Sequence, residues 1–301
     1  EAAAELWRIY DLPVIRIPVN KPCIRHIEKE QFFATETEKW AAIVETIKKV
    51  HATGQPILAG TSSVKSSEKL SKLLSKEGHS LILCGRNKAK LEELSKQLQT
   101  SFHILKFDVR NKEDVFNKIL SLPNQFKKID VLINNAGNAH GLNFVHESDI
   151  SDWEAMIDSN VKGVLYVTRA ILNNMVKKKS GQIINVGSIA GKESYPKGNV
   201  YCASKAAIEK FTEGLRLDLN PYGIKVGAIH PGLVETNFSN VRFKGDKKRA
   251  KKVYTGLKPL TPEDVANSIS YMINTPSHVN IADLTVMPTD QAGAYVLKKS
   301  N

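Results

Sequence analysis

Cysteine is scarce in this chain, with three residues, Cys23, Cys84 and Cys202, among 301. Being odd in number, far apart and free of any C-x-x-C pair, they exclude a disulfide framework and a cysteine zinc site, and predict a reducing, cytoplasmic setting with no bound metal. No window approaches the run of about 18 apolar residues that a membrane span requires. The opening stretch Glu1-Ala2-Ala3-Ala4-Glu5 has no initiator Met, no basic start and no apolar signal core, which predicts a fragment or a processed chain without a secretory address. Internal repeats and low-complexity linkers are missing. So is any G-x-x-x-x-G-K-[ST] phosphate loop, and ATP hydrolysis is not expected.

What is there suits a globular α/β protein. The composition is 42% apolar and 25% charged, ample for a buried core and unlike a disordered or collagen-like chain. Lys and Arg outnumber Asp and Glu by 43 to 31, a net charge of +12, with dense runs at 177–179 and 244–252. Such runs could bind nucleic acid with steep salt dependence. No zinc finger, basic zipper or aromatic RNA-binding stripe accompanies them, so solvated loops and helix ends are expected and no nucleic-acid partner is.

From about residue 56 onward, short β-branched runs alternate with amphipathic segments. Strands are predicted at 57–59, 81–84, 103–107, 131–134, 182–186, 225–229 and 284–287. Each is followed by enough chain for a crossover, which predicts a doubly wound, Rossmann-like parallel sheet of about seven strands with helices on both faces. Ligands in such sheets bind beyond the carboxyl ends of the strands, where strand order reverses. Residues 1–53 break the rhythm. They offer one extended run at 14–18 and one helix, opening at Thr35 or Thr37, with Trp40, Ile43, Val44 and Ile47 on one stripe. So little apolar surface would hardly fold alone.

Tyr201 and Lys205 stand one turn apart at the start of a helical pattern. A phenol of ordinary pKa near ~10 needs help to act at neutral pH, and an ammonium beside it favours the phenolate. Such a phenol could serve as general acid/base. Ser188, on the loop after the fifth strand, could hold a carbonyl or alcohol oxygen against it. Taken alone, Y-x-x-x-K is usually an ordinary pair on a helix surface.

Five further pieces accompany the pair. Asp108-Val109 ends the third strand, Asn134-Asn135-Ala136-Gly137 the fourth, and Asn160 lies in the long helix that follows. Ser188 comes next, and Pro231-Gly232 with Val234 and Thr236 follows the sixth strand. In order and spacing this set resembles the short-chain dehydrogenase/reductase family from about Gly78 to the end. The stretches GLVETNFSNVRFKGD at 232–246, LTPED at 260–264 and HVNI at 278–281 look like its branch of NADP-dependent 3-hydroxy acid (serine 3-) dehydrogenases. The resemblance implies interconversion of the β-hydroxyl of serine, allo-threonine or a related 3-hydroxy acid with the semialdehyde or ketone. It implies a homo-oligomer, dimer or tetramer. It makes Tyr201 the acid/base, Ser188 the positioner of the reacting oxygen, Lys205 the group that lowers the Tyr201 pKa and holds the nicotinamide ribose, and Asn160 the anchor of a relay water. Gly60, Asp108, Val109, the 134–137 turn, Pro231, Gly232, Val234 and Thr236 become cofactor-binding residues. After the second strand an acidic residue would bond the ribose 2′-hydroxyl of NAD, whereas an arginine accommodates the 2′-phosphate of NADP. Here Arg86 stands there and no carboxylate does. NADP is expected.

One family motif is missing. After the first strand, T-G-x-x-x-G-x-G lets backbone approach the pyrophosphate. In the corresponding stretch only Gly60 remains, with Val64 and Ser66 at the other glycine positions. Upstream, IPVNKPCIR at 17–25, TETEK at 35–39 and GQPILAGTSSVKSSE at 54–68 resemble part of the second nucleotide-binding domain of the SecA preprotein-translocase motor. The chain reads as a chimera: a SecA-like leader at 1–53, then a reductase-like domain at 54–301 whose first strand and helix, 54–78, are a SecA-like substitute. Two other readings stay open, a catalytically impaired binding protein and a translocase-motor fragment without ATPase activity.

Overall fold

The computed structural model describes residues 57–61 and 64–299, with side chains from residue 68 onward. The stretch 1–53, expected to be a SecA-like leader, lies outside the described residues. In chain order the elements are β1 (Ile57–Thr61), α1 (Val64–Lys76), β2 (Leu81–Gly85), α2 (Lys88–Ser95), β3 (Phe102–Lys106), α3 (Lys112–Leu120) and β4 (Val131–Asn135). There follow α4 (Ile150–Ile157), a π turn (Asp158–Lys162), α5 (Gly163–Lys178), β5 (Gly181–Val186), α6 (Ile189–Lys192) and α7 (Asn199–Leu219). The chain continues through β6 (Ile224–Pro231), α8 (Phe238–Arg242), α9 (Lys247–Lys252), α10 (Pro262–Ile273) and β7 (Asp283–Val286). The third and seventh strands each lie one residue nearer the N-terminus than their apolar runs suggest.

All seven strands pair in parallel in the order β3-β2-β1-β4-β5-β6-β7. β1 sits between β2 and β4, with Ile57 level with both Leu81 and Val131. Strand order reverses between β1 and β4, and loops there run to opposite faces, opening a crevice at the carboxyl ends.

Strand side chains alternate between the two faces, and both faces are buried. Ile82, Leu132, Ile183 and Val226 pack with Val115, Ile171, Met175 and Leu215 of α3, α5 and α7. Leu81, Leu83, Val131, Ile133 and Ile184 pack the other way, with Leu70, Leu74, Leu91, Val265 and Ile269 of α1, α2 and α10. Helix entries are specified locally. Asn87 and Asn111 cap α2 and α3 by accepting from Lys90 N–H and Asp114 N–H, and Thr261 with Asp264 forms a reciprocal capping box ahead of Pro262. The chain leaves α1 through Gly78 at φ +89°, a conformation that favours glycine, and His79 N–H closes the turn on Leu74 O at 3.0 Å.

Among the described residues no helix is long and apolar enough to cross a membrane, and no group of His, Cys, Asp and Glu is arranged to hold a metal ion. Packing around β6 is close enough to test. A Cβ on Gly227 would overlap the Ile281 carbonyl oxygen and approach Met272 Cε to 3.1 Å. Gly227→Ala should therefore destabilise the protein by about 1–3 kcal/mol, the usual cost of forcing atoms into a filled interior, read as a lower urea midpoint.

Candidate active site

The crevice at the reversal point holds a cavity of about 230 Å³. Arg86 and Asn87 after β2, Asp108, Val109 and Arg110 after β3, and Ala136 and Gly137 after β4 all line it, beside Lys90 of α2. Asp108 is gripped at its mouth: Arg110 Nη2 donates to Oδ2 at 2.7 Å and Nε to Oδ1 at 3.1 Å, while Arg86 Nη1 stands 3.8 Å from Oδ2. Burial works to raise the Asp108 pKa, and the bonds and charge of Arg110, with the charge of Arg86, outweigh it and hold the carboxyl below the usual range. The floor is apolar, through Leu83, Leu132, Val164 and Val167. A flat apolar slot with a cationic lip suits an adenosine bearing a 2′-phosphate, with Arg86, Lys90 and Arg110 as the donors. In this respect the residues fit NADP.

On the other side of the β4 loop the catalytic candidates converge. Ser188 follows β5 and caps the short helix α6. Tyr201 and Lys205 share one face of α7, and both are buried. The Ser188 hydroxyl lies close enough to the Tyr201 phenol to favour its charged form, the Tyr201 ring packs 5.6 Å from that of Phe238, and Lys205 Nζ donates to Val186 O at 2.9 Å. Asn160 lies in the π turn rather than in a regular helix, an interruption common near functional sites. Its amide fastens the β4 loop: Oδ1 accepts from Asn138 N–H, Nδ2 donates to Asn138 O, both at 2.8 Å, and Nδ2 also donates to Ser204 Oγ at 3.0 Å. Gly137 is closely surrounded, since a Cβ would come to 3.1 Å from Asn160 Oδ1 and 3.4 Å from Lys205 Nζ. The loop, the π turn and α7 are thereby held as one piece.

Burial sets the electrostatics of this pair. Proximity to Lys205 was expected to lower the Tyr201 pKa, yet burial dominates and pushes the phenol up, with only Ser188 and Arg242 pulling against it. Burial also brings Lys205 down to about 8, which leaves its ammonium weakly held and turned to a carbonyl. Two groups desolvated together cannot each rescue the other's charge unless their heads meet.

Not every sequence candidate faces the cavity with its polar atoms. Asn134 lines it, but its Nδ2 is engaged in the sheet, donating to Asn185 Oδ1 at 2.8 Å and Thr168 Oγ1 at 2.9 Å. Gly60, in β1, pairs beside Cys84 and Asn134, and Asn135 pairs beside Thr61 at the end of β1. Pro231 ends β6, and Gly232, Val234 and Thr236 follow it; none of these lines the cavity. Gly232 N–H donates to Val286 O at 2.8 Å, Val234 bridges to Leu260, and Thr236 Oγ1 accepts from Phe238 N–H at 3.1 Å. Arg110, Asn138 and Ser204, which complete these contacts, were not singled out from the sequence. Arg110 carried a usable signal, standing two residues after the candidate Asp108.

This geometry has counterparts. The short chain dehydrogenase family matches residues 67–247. An NADP-dependent 3-hydroxy acid dehydrogenase of Escherichia coli strain K12 is 45% identical over 219 residues, covering 72% of this chain and 88% of the relative. A protein of the same description from Schizosaccharomyces pombe is 45% identical over 224 residues, 73% of this chain and 86% of the relative. The closed form of serine dehydrogenase complexed with NADP+ superposes with a TM-score of 0.77 at 41% identity, covering 81% of this chain and 100% of that one.

Lys205 provides a test by pH. Its folded pKa of about 8 lies below the ordinary 10.5, so between those values the unfolded chain holds the extra proton and stability climbs with pH. Lys205→Met should remove that slope and be the more stable protein near pH 7, by on the order of 1–3 kcal/mol after loss of the bond to Val186 O. Urea unfolding of both proteins across this range measures the difference.

Proposed function

Since the chain belongs to the short-chain dehydrogenase family, we propose that it is an NADP-dependent oxidoreductase acting on the β-hydroxyl of a 3-hydroxy acid such as serine or allo-threonine. The product is the semialdehyde or ketone, and the reaction runs in either direction. The observation that carries this reading is the grouping of Ser188, Tyr201 and Lys205 at the end of β5, beside a cavity with a cationic lip at the ends of β2, β3 and β4.

When bound, NADP would supply the hydride acceptor for the carbinol carbon, and its reduced form the donor in the reverse direction. The chain's own part is to hold and move the proton. Ser188 orients the substrate oxygen against Tyr201, whose oxygen receives the hydroxyl proton in oxidation and returns it in reduction. The buried phenol is a poor base as it stands. Lys205 offsets this when its ammonium turns from Val186 O toward the phenol and the ribose. Asn160, its side chain committed to Asn138, offers its main chain to a relay water. Arg86 would take the 2′-phosphate of the bound cofactor, and Asp108, Val109, Asn134, Asn135, Ala136 and Gly137 would hold its adenosine and ribose. Gly60 and the start of α1 would hold the pyrophosphate, and Pro231, Gly232, Val234 and Thr236 the nicotinamide end. Exposed apolar side chains on α4 and α5, among them Ile150 and Leu165, accord with a homo-oligomer, and sparse cysteine accords with the cytoplasm.

A second reading rests on Val64 and Ser66 at the glycine positions of the phosphate turn. A reductase fold with a poor phosphate turn would be a binding protein without turnover, and a calorimetric titration with NADPH separates the two readings by affinity.

Tyr201→Phe should cut turnover of serine or 3-hydroxypropanoate about 10²–10⁴-fold, the range for loss of a general acid/base, while leaving thermal unfolding nearly unchanged. Absorbance of the reduced nicotinamide follows the reaction, and turnover equal to the parent's would remove the assigned role. In the same assay Arg86→Asp should lower the preference for NADP over NAD at least about tenfold, roughly 1.4 kcal/mol.

A further inference from the structure

Arg242, the last residue of α8, lies against the catalytic tyrosine and has no anionic partner among the described residues. Its guanidinium carbon is 5.7 Å from the centre of the Tyr201 ring and 5.5 Å from that of Tyr195. Nε donates to Gly141 O at 3.0 Å and Nη1 to the Tyr195 hydroxyl at 2.9 Å, while its own carbonyl accepts from Gly141 N–H at 3.0 Å. The side chain is thus fixed on both flanks by neutral oxygens, which leaves most of its five donors and its whole charge uncompensated.

The neighbouring cations are differently placed. Lys205 is bonded to Val186 O, Lys244 is paired with Asp152 at 2.9 Å, and Lys197 lies over the Phe144 ring at 4.3 Å. Burial lowers the pKa of His140, which keeps that imidazole neutral near pH 7. A guanidinium stays charged at any working pH and offers a planar fork matched to a carboxylate. In a 3-hydroxy acid two carbon–carbon bonds of about 1.5 Å separate the carbinol carbon from the carboxylate, so an anion arrives within about 3–5 Å of the reacting oxygen.

We propose that Arg242 is the carboxylate-binding residue of this site, held ready by Gly141 and Tyr195, and that it makes the chain select 3-hydroxy acids over neutral β-hydroxy compounds. This rests on the oxidoreductase reading for its substrate class, but the binding of the anion does not depend on turnover. The sequence carries the residue in the 232–246 stretch without marking it, because a lone arginine after a short helix looks like any surface arginine.

The test compares 3-hydroxypropanoate with its methyl ester. Their dissociation constants are taken by calorimetry on the parent, with and without NADP, and kcat/KM wherever turnover is seen. The parent should favour the acid. Arg242→Gln should reduce the acid-over-ester ratio at least thirtyfold, chiefly through KM, and Arg242→Lys should restore part of it because it keeps the charge without the fork. Thermal unfolding of both variants checks that the bracing by Gly141 and Tyr195 survives. If Arg242→Gln does not fold, the parent's own preference and the Arg242→Lys ratio decide. An unchanged ratio in the variants, or a parent that oxidises the ester as well as the acid, overturns the assignment and leaves the oxidoreductase reading standing. Arg242-dependent binding of the acid without any NADP-linked turnover upholds the assignment and overturns that reading instead.

Discussion

A parallel sheet covered on both faces by helices has no face left for polar chemistry. Its side chains alternate into two apolar layers, one with α3, α5 and α7 and the other with α1, α2 and α10. Within the sheet interior only the strand ends meet solvent, and of these the carboxyl ends are where loops part at the reversal between β1 and β4. Four groups of candidates follow from that constraint: Arg86 after β2, Asp108 after β3, the turn through Gly137 that ends β4, and Ser188 after β5.

Polar groups that do enter the interior are tied in chains. Asn134 and Asn185 bond one another across β4 and β5 and end on the hydroxyls of Thr168 and Thr212 in α5 and α7. Beyond them, Asn160 fastens Asn138, and Ser204 ties Asn160 to α7. Each link satisfies a buried amide that would otherwise cost about 1–3 kcal/mol, and together they fix the distance between the β4 loop and the helix carrying Tyr201 and Lys205. The site is therefore positioned from the sheet outward.

Charge is distributed unevenly along the crevice. At the adenosine end the carboxylate of Asp108 and the guanidinium of Arg110 are satisfied at the surface, where water shares the cost. At the Tyr201 end a phenol and an ammonium are both buried without ionic partners among the described residues, and each is pushed toward its neutral form. This asymmetry fits a pocket that binds one part of its ligand tightly and keeps its reactive groups poised for a charge that arrives with the ligand.

The short apolar runs at 81–84 and 131–134 and the Y-x-x-x-K spacing made the strands and the Tyr201–Lys205 pair legible, because apolar clustering and helix pitch are local properties of the chain. Strand ends were less so: β3 and β7 stop where pairing stops, and pairing belongs to the neighbours. The 301 residues by themselves determined a doubly wound sheet and the family. Only the tertiary structure decided that the Asn134 amide turns into the core, that Arg110 takes Asp108, that Lys205 rests on Val186 O, and that Arg242 comes to lie beside Tyr201 from 41 positions away along the chain. Those pairings depend on which loops the strand order brings together and on how much water reaches each group, and neither quantity is local in sequence.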